Sequence, residues 1–304
     1  MRRLEPLSYD HAIFTNLSSE HLDYHKTLEA YREAKALLIQ RAPLSILNAD
    51  DPNCHYFASQ AQRYVSYGIE TKSNWQARNI RESSTHIDFE LFHRDSKSAL
   101  DIHLPMIGSY NVYNALAAIA ASYHSGLTLG MIQEALTQFQ GVPGRTQLIQ
   151  REPFSVMVDF AHTAPALEKA LKAIRPQVKG RIITVIGAAG ERDPGKRFPI
   201  GETAMRFGDL AVFTEEDSRS EDTSLILEQV AKGARSTGAR KGKRFWLNPD
   251  RAAAIRQALK LAKTDDLVIL SGKGHEQTLE RQHETLPWDE VTEAKQALKE
   301  LGLD

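Results

Sequence analysis

Two histidines and two carboxylates fall within Glu20-His21-Leu22-Asp23-Tyr24-His25. Imidazole nitrogens and carboxylate oxygens this close in the chain can hold a cation or move a proton. The same residues suit the polar start of a helix, with Ser or Asp as the cap and the histidines in water. Lys35 lies in Glu33-Ala34-Lys35-Ala36-Leu37-Leu38. Taken alone, it reads as a surface lysine whose stem packs on apolar neighbours while its ammonium reaches water. Further on, Gly190 to Lys196 fits G-x-x-x-x-G-K, but Arg197 stands where Ser or Thr would hold Mg2+. That pattern predicts an anion-binding turn or a tight strand-to-helix turn, not a nucleotide P-loop. Two more polar turns, Asp159-Phe160-Ala161-His162 and Gly272-Lys273-Gly274-His275-Glu276, carry groups that can grip an amine or exchange a proton.

Such groups work only where secondary structure converges them. In the first half, strands are predicted at Ala12–Phe14, Leu44–Leu47 and Val65–Gly68, with a hairpin of Ile87–His93 and Ala99–Leu104. Helical spacing covers Leu28–Ile39, Pro52–Gln62, Asn111–Tyr123 and Met131–Phe139. Gly141-Val142-Pro143-Gly144 breaks the pattern and sets a domain boundary, giving residues 1–142 and 143–304. Beyond it, near-continuous apolar strands at Val156–Phe160, Ile182–Ile186, Leu210–Phe213, Phe245–Leu247 and Leu267–Leu270 alternate with amphipathic helices. That alternation means an α/β fold whose largely parallel sheet is covered on both faces. Ligands on such sheets bind beyond the carboxyl ends of the strands. The rule selects Asp159–Thr163, Gly187–Lys196, Thr214–Glu221 and Ser271–Glu276, where polar residues and glycines crowd.

Composition narrows the field. The 304 residues suffice for two cores, and a formal net charge of −1 gives no electrostatic reason for nucleic acid or an anionic membrane as partner. The basic run Arg240, Lys241, Lys243 and Arg244 reads as a solvated loop before a strand. A single cysteine, Cys54, rules out an internal disulfide and fits the cytoplasm. It falls in the first turn of a helix and reads as non-catalytic. No apolar run approaches the ~20 residues that span a bilayer.

Ten blocks, in order, resemble the Mur ligases: FTNLSSEHLDYH, YREAK, LNADDP, GSYNVYNALAAIA, GVPGR, VDFAHT, GAAGERDPGKR, TEEDSRSED, DRAAAI and GKGHE. Several point to the branch that makes the UDP-N-acetylmuramoyl tripeptide. The resemblance implies the C-terminal part of a central ATPase domain followed by a Rossmann-like domain. It implies an ATP-dependent amide ligase with ATP and Mg2+ as cofactors, and a UDP-N-acetylmuramoyl dipeptide and a diamino acid as partners. By the same resemblance His21 holds Mg2+, and a carbamylated Lys35 supplies it with anionic oxygens. Asn111 and Asn114 fall in the adenine-contacting segment, and Arg145 and Asp159 contact ATP. Arg192, Asp217, Arg219, Gly272 and Glu276 surround the amino acid, with His162 nearby as a candidate base.

Three departures bear on these expectations. The family's N-terminal uridine-nucleotide domain and G-T-x-G-K-T loop have no counterpart in these residues. The chain alone is therefore expected to bind ATP poorly and turn over little, with a separate N-terminal polypeptide among its implied partners. The selectivity motif, D-N-P-R in diaminopimelate-adding members, reads Glu216-Asp217-Ser218-Arg219. Its retained arginine suits a distal carboxylate and its added acid suits a cationic end, which leaves diaminopimelate, lysine and ornithine open. The proline after His162 is shifted by one, so the helix start there is expected to differ. A folyl-polyglutamate or cyanophycin-type ligase is disfavoured by VDFAHT and GKGHE. A remnant without catalysis, or one half of a split ligase, is the non-enzymatic alternative.

Overall fold

The computed structural model describes residues 7–17, 22–83, 85–94, 96, 99–282 and 284–303. The chain divides into two compact units, Met1–Gln140 and Gly141–Asp304. The first contains β1 (His11–Phe14), α1 (Leu22–His25), α2 (Leu28–Arg41), β2 (Leu44–Asn48), α3 (Cys54–Gln60), β3 (Tyr64–Gly68), β4 (Trp75–Glu82), β5 (Ile87–His93), β6 (Leu100–Leu104), α4 (Tyr110–His124) and α5 (Leu129–Thr137). Its described strands form one sheet in sequential order. Pairing is parallel from β1 to β4 and antiparallel from β4 to β6. Every residue of β2 is buried, as expected for a strand covered on both faces. The alanine-rich α4 packs Val112, Leu116 and Ile119 into a core with Trp75, Tyr67 and Phe89. Thr27 and Thr128 start α2 and α5 by accepting a backbone N–H three residues on.

Asp50 and Asp51 organise the loop after β2. Asp50 accepts the N–H groups of Ile69, Glu70 and Thr71 and the Tyr113 hydroxyl at 2.7–3.0 Å. Asp51 takes the Leu17 and Asn53 N–H groups, and the Asn48 amide donates to the Thr15 carbonyl at 2.8 Å. The LNADDP block is thus a fastening between strand ends. The sequence reading missed β4 for a physical reason. Its second half, Arg78-Asn79-Ile80-Arg81-Glu82, has no apolar alternation, Asn79 has φ +51°, and a bulge shifts the register between Arg78 and Arg81.

The second unit contains β7 (Gln147–Gln150), β8 (Ser155–Asp159), α6 (Ala164–Ile174), β9 (Ile182–Ile186), α7 (Arg197–Phe207), β10 (Leu210–Phe213), α8 (Thr223–Ser236), β11 (Phe245–Leu247), α9 (Arg251–Leu261), β12 (Leu267–Ser271), β13 (Thr278–Arg281), β14 (Glu284–Pro287) and α10 (Glu290–Glu300). The main sheet runs β11-β10-β9-β12-β8-β7. It is parallel except for β7, which pairs antiparallel with β8 at the edge. Strand β12 therefore lies between β8 and β9. The carboxyl ends of β8, β9, β10 and β12 open toward one edge, as the doubly wound pattern requires. Helices α7 and α8 meet at Gly201 and Gly233. A Cβ on either would overlap a carbonyl oxygen of the facing helix, Val230 or Phe198. The edge strand β7 and the hairpin of β13 and β14, unlike the other main strands, were not foreseen, because half or more of their residues are charged or polar.

Candidate active site

The carboxyl edge of the second sheet holds a network of ion pairs. Lys273, fully buried in the turn after β12, places its ammonium 2.8 Å from Asp217 Oδ1 and 2.7 Å from Glu276 Oε2. Arg219 donates to Glu280 at 2.8 Å and to the Gly190 carbonyl at 2.6 Å, and lies 3.8 Å from Asp217 Oδ2. Asp217 also accepts the Glu280 N–H at 3.0 Å. Loops after β9, β10 and β12 and the β13 strand are thereby tied together. Three carboxylates, of Asp217, Glu276 and Glu280, face two cations here. The surplus negative charge suits an ammonium-bearing ligand. Arg219 has φ +51°, a conformation that costs a non-glycine residue about 1 kcal/mol and that these partners hold in place.

Glu216, next in the chain, is buried with Oε2 lacking a hydrogen-bond partner among the described residues. Burial raises its carboxyl pKa, against the opposing charges of His162, Arg251 and Lys273. Gly272, with φ +109°, lets the chain pass this carboxyl: a Cβ would lie 2.9 Å from Glu216 Oε2. Beneath the strand ends Arg251 and Glu290 form a fully buried pair at 2.6 Å. Arg251 also donates to the Ser271 and Glu215 carbonyls at 2.9 and 3.0 Å, which fixes the ends of β12 and β10 to α10.

The turn after β8 completes the edge. Asp159 accepts the Thr146 N–H at 2.8 Å, its hydroxyl at 3.1 Å and the Ala161 N–H at 2.9 Å. Its carboxylate is spent on anchoring the 142–146 loop. The Arg145 guanidinium lies 4.0 Å over the Phe160 ring. Burial lowers its pKa, and Asp159 and Glu276 oppose that. Gly144 approaches the Gly274–His275 backbone so closely that no Cβ fits. His162 Nδ1 lies 3.0 Å from the Phe160 carbonyl, an acceptor that orients the ring by taking the Nδ1 proton. Thr163 caps α6 by accepting the Ala166 N–H, so the shifted proline leaves an ordinary helix start.

Asp217, Arg219, Gly272 and Glu276 thus meet in one constellation, with Arg145, Asp159 and His162 on the neighbouring turn. Arg192 is exposed on the loop after β9. The anion-binding reading of Gly190–Lys196 is corrected. Its backbone donors serve the chain itself: Gly190 N–H reaches the Asp217 carbonyl, Glu191 N–H the Glu221 carboxylate, and Gly195 N–H Asp193. Arg197 is a buried strut holding Glu221 at 2.8 Å and the Ala189 carbonyl at 3.3 Å. In the first unit, His21 lies outside the described residues. Lys35 is half-buried, its ammonium 4.9 Å from the Tyr31 ring centre. Asn111 is buried, donates to the Ile107 carbonyl at 2.8 Å and accepts from the exposed Asn114 at 3.0 Å. The Cys54 thiol is pushed up by burial and by Asp51 and Asp50, which disfavours the reactive thiolate. Sequence reasoning missed Lys273, Glu280 and the Arg251–Glu290 pair. A lysine between two glycines looks like a bland turn, and Glu280 lies in the unforeseen hairpin.

The Mur ligase middle domain family matches residues 1–122, and the Mur ligase glutamate ligase domain family matches residues 144–274. The chain belongs to the Mur ligase family. A UDP-N-acetylmuramyl-tripeptide synthetase of Deinococcus radiodurans is 43% identical over 302 residues, 98% of this chain and 61% of that protein. A UDP-N-acetylmuramoyl-L-alanyl-D-glutamate–2,6-diaminopimelate ligase of Halalkalibacterium halodurans is 40% identical over 306 residues, again 98% of this chain and 61% of the relative. This Mur ligase chain therefore spans about three fifths of the length of these relatives. A solved diaminopimelate ligase of the same name superposes with TM-score 0.61 at 29% identity, covering 99% of this chain and 62% of that one. A pseudomurein peptide ligase from Methanothermus fervidus shares the fold, with TM-score 0.73 at 21% identity over 99% of this chain and 65% of its own. Among the described residues, no helix is long and apolar enough to cross a membrane.

Proposed function

We propose that this chain is part of an ATP-dependent amide ligase that joins a diamino acid to UDP-N-acetylmuramoyl-L-alanyl-D-glutamate. Residues 1–142 belong to its ATPase domain, and residues 143–304 present the amino acid. The observation that carries this reading is the network of Lys273, Asp217, Glu276, Arg219 and Glu280 at the sheet's carboxyl edge. It offers surplus carboxylate for an amine and a guanidinium for a carboxylate. The names of the relatives support the same substrates.

The chemistry follows from the electrophile. A carboxylate resists attack by an amine until the γ-phosphoryl group of ATP converts it to an acyl phosphate. The amine then forms the amide and expels phosphate. Asp217 and Glu276 orient the α-amine of the diamino acid, and Arg219 takes a carboxylate, exchanging Glu280 for it. His162 is placed to receive the proton that the attacking ammonium must lose. Arg145, held by the Asp159-anchored loop and by Phe160, directs positive charge toward ATP phosphate oxygens, and Asn114 offers an exposed amide for adenine.

The residues fit Mg2+ in one respect. Among the described residues Lys35 Nζ forms no ion pair or hydrogen bond, so its nitrogen is open to carbamylation by CO2. The carbamate oxygens and His21 would then hold the ion, which supplies charge neutralisation during phosphoryl transfer.

The complete polypeptide that carries this chain should release phosphate from ATP only when the nucleotide dipeptide and a diamino acid are both present. Diaminopimelate, lysine and ornithine form the three arms of the screen. Silence in all three arms, or equal release with glutamate, would remove the proposal.

A further inference from the structure

On the antiparallel flank of the first unit, a second cluster carries coordinating groups on elements the ligase chemistry does not use. Asp88 on β5 faces His103 on β6 in register. His86, two residues before Asp88, projects to the same face of the sheet. His103 Nδ1 lies 2.8 Å from Asp88 Oδ1, and His86 Nε2 lies 3.3 Å from Asp88 Oδ2. The two imidazole ring centres are 4.7 Å apart. One ligand atom from each of the three residues lies within 4.8 Å of the other two. We propose that His86, Asp88 and His103 bind one divalent transition ion of the zinc class.

The geometry and the donor set agree. A tetrahedral ion with bonds of about 2.0–2.1 Å needs its donors about 3.3–3.5 Å apart. Both carboxylate-to-imidazole pairs are already at or inside that spacing. The imidazole-to-imidazole separation has to close by at most about 1.5 Å and the His103–Asp88 pair to open by about 0.5 Å, both of which rotation of the exposed His103 ring supplies. Two imidazoles with one carboxylate favour zinc, copper or nickel over magnesium or calcium, which prefer all-oxygen sites.

Two hydroxyls flank the His86 ring on the side away from Asp88. His86 Nδ1 lies 2.9 Å from Ser83 Oγ and 3.0 Å from Thr85 Oγ1. The Ser83 hydroxyl donates to the His86 carbonyl at 2.9 Å and accepts the His86 and Thr85 backbone N–H groups at 3.0 and 3.2 Å, which fixes the turn that carries the ring. Those contacts hold the imidazole with Nε2 on the Asp88 side, as outer partners orient metal-bound histidines. An open depression of about 610 Å3, lined by Asp88, His103, Asp101, Glu134 and Arg81, adjoins the cluster. It leaves the remaining coordination position to water or a small anionic ligand.

Calorimetric titration of the full chain with zinc chloride, after chelator treatment, tests the site. One saturable equivalent is expected. His86→Gln and His103→Gln should each weaken binding more than about a hundredfold with the melting temperature unchanged, and Ser83→Ala about tenfold. Absence of saturable uptake would overturn the proposal. So would uptake that survives both histidine substitutions, since the ion would then sit on other histidines of the chain. If those variants do not fold, Asp88→Asn serves with Co2+ as probe. Intense visible bands of a four-coordinate ion should vanish in the variant, and a spectrum identical with and without Asp88 would again refute the site.

Discussion

Replacing Lys273 by Met keeps the buried aliphatic stem and removes only the charge at the centre of the ion network. Breaking a buried pair by deleting one partner costs about 3–5 kcal/mol where both ends are desolvated. Here Lys273 is 1% exposed, Asp217 13% and Glu276 37%. The Glu276 half is near enough to water to be worth under about 1 kcal/mol. Asp217 keeps the Glu280 N–H at 3.0 Å and Arg219 at 3.8 Å, which offsets part of its loss. The expected destabilisation is therefore about 2–3 kcal/mol, or about 5–10 °C for a unit of this size. Urea denaturation in a W75F background reads the second unit alone, because the remaining tryptophans, Trp246 and Trp288, lie there. The double variant K273M/D217N should recover at least about 1 kcal/mol, since it removes the stranded carboxylate. The reasoning fails if K273M stays within about 0.5 kcal/mol of the parent, or if the two substitutions simply add.

Other consequences follow from the same contacts. Burial raises the Asp50 carboxyl, but the N–H groups of Ile69, Glu70 and Thr71 outweigh it and hold the pKa below the ordinary value. Its stabilisation is thus present above a pH of about 3.9 and is lost as pH falls through the lower folded value. Asp50→Asn should be less stable at neutral pH by about 1–2 kcal/mol and show a flatter acid limb in pH-dependent melting. Glu216 has the opposite sign: its raised pKa means stability is lost as pH rises above the ordinary carboxyl range. Glu216→Gln should remove that loss while leaving stability at low pH within about 1 kcal/mol of the parent. Gly201→Ala should cost at least about 1–3 kcal/mol by forcing α7 from α8, whereas Gly130→Ala, with open space around it, should be neutral or stabilising in the same melt. Glu280→Gln should free Arg219 and tighten a diamino acid that ends in a carboxylate more than one that ends in an amine, as read by equilibrium binding.

Much of the architecture was legible because apolar periodicity fixes it. The all-buried strands β9, β10 and β12 fall where their patterns place them, amphipathic helices alternate with them, and the polar turns at their ends follow from the sheet. What was not legible rests on contacts distant in sequence. Nothing local shows that Lys273 reaches Asp217, 56 residues away, or that Arg251 pairs with Glu290, 39 residues away. Strand β4 and the β13–β14 hairpin lack alternation because charged residues occupy them. The Gly190–Lys196 turn misled in a different way: its glycines and N–H groups match an anion site, but Glu221, Asp193 and the Asp217 carbonyl each take one of those N–H groups instead. Asp159 and Asn111 likewise carry structural hydrogen bonds that no motif reveals.

The central claim is that the carboxyl edge of the second unit delivers a diamino acid to an activated carboxylate. Mass spectrometry of the nucleotide product, made by the complete polypeptide with ATP and each diamino acid in turn, tests it most directly. The account predicts UDP-N-acetylmuramoyl dipeptide heavier by one diamino acid minus water, with product lost in Arg219→Ala while the fold is kept. An unchanged dipeptide in every reaction, or undiminished product from Arg219→Ala, would contradict it.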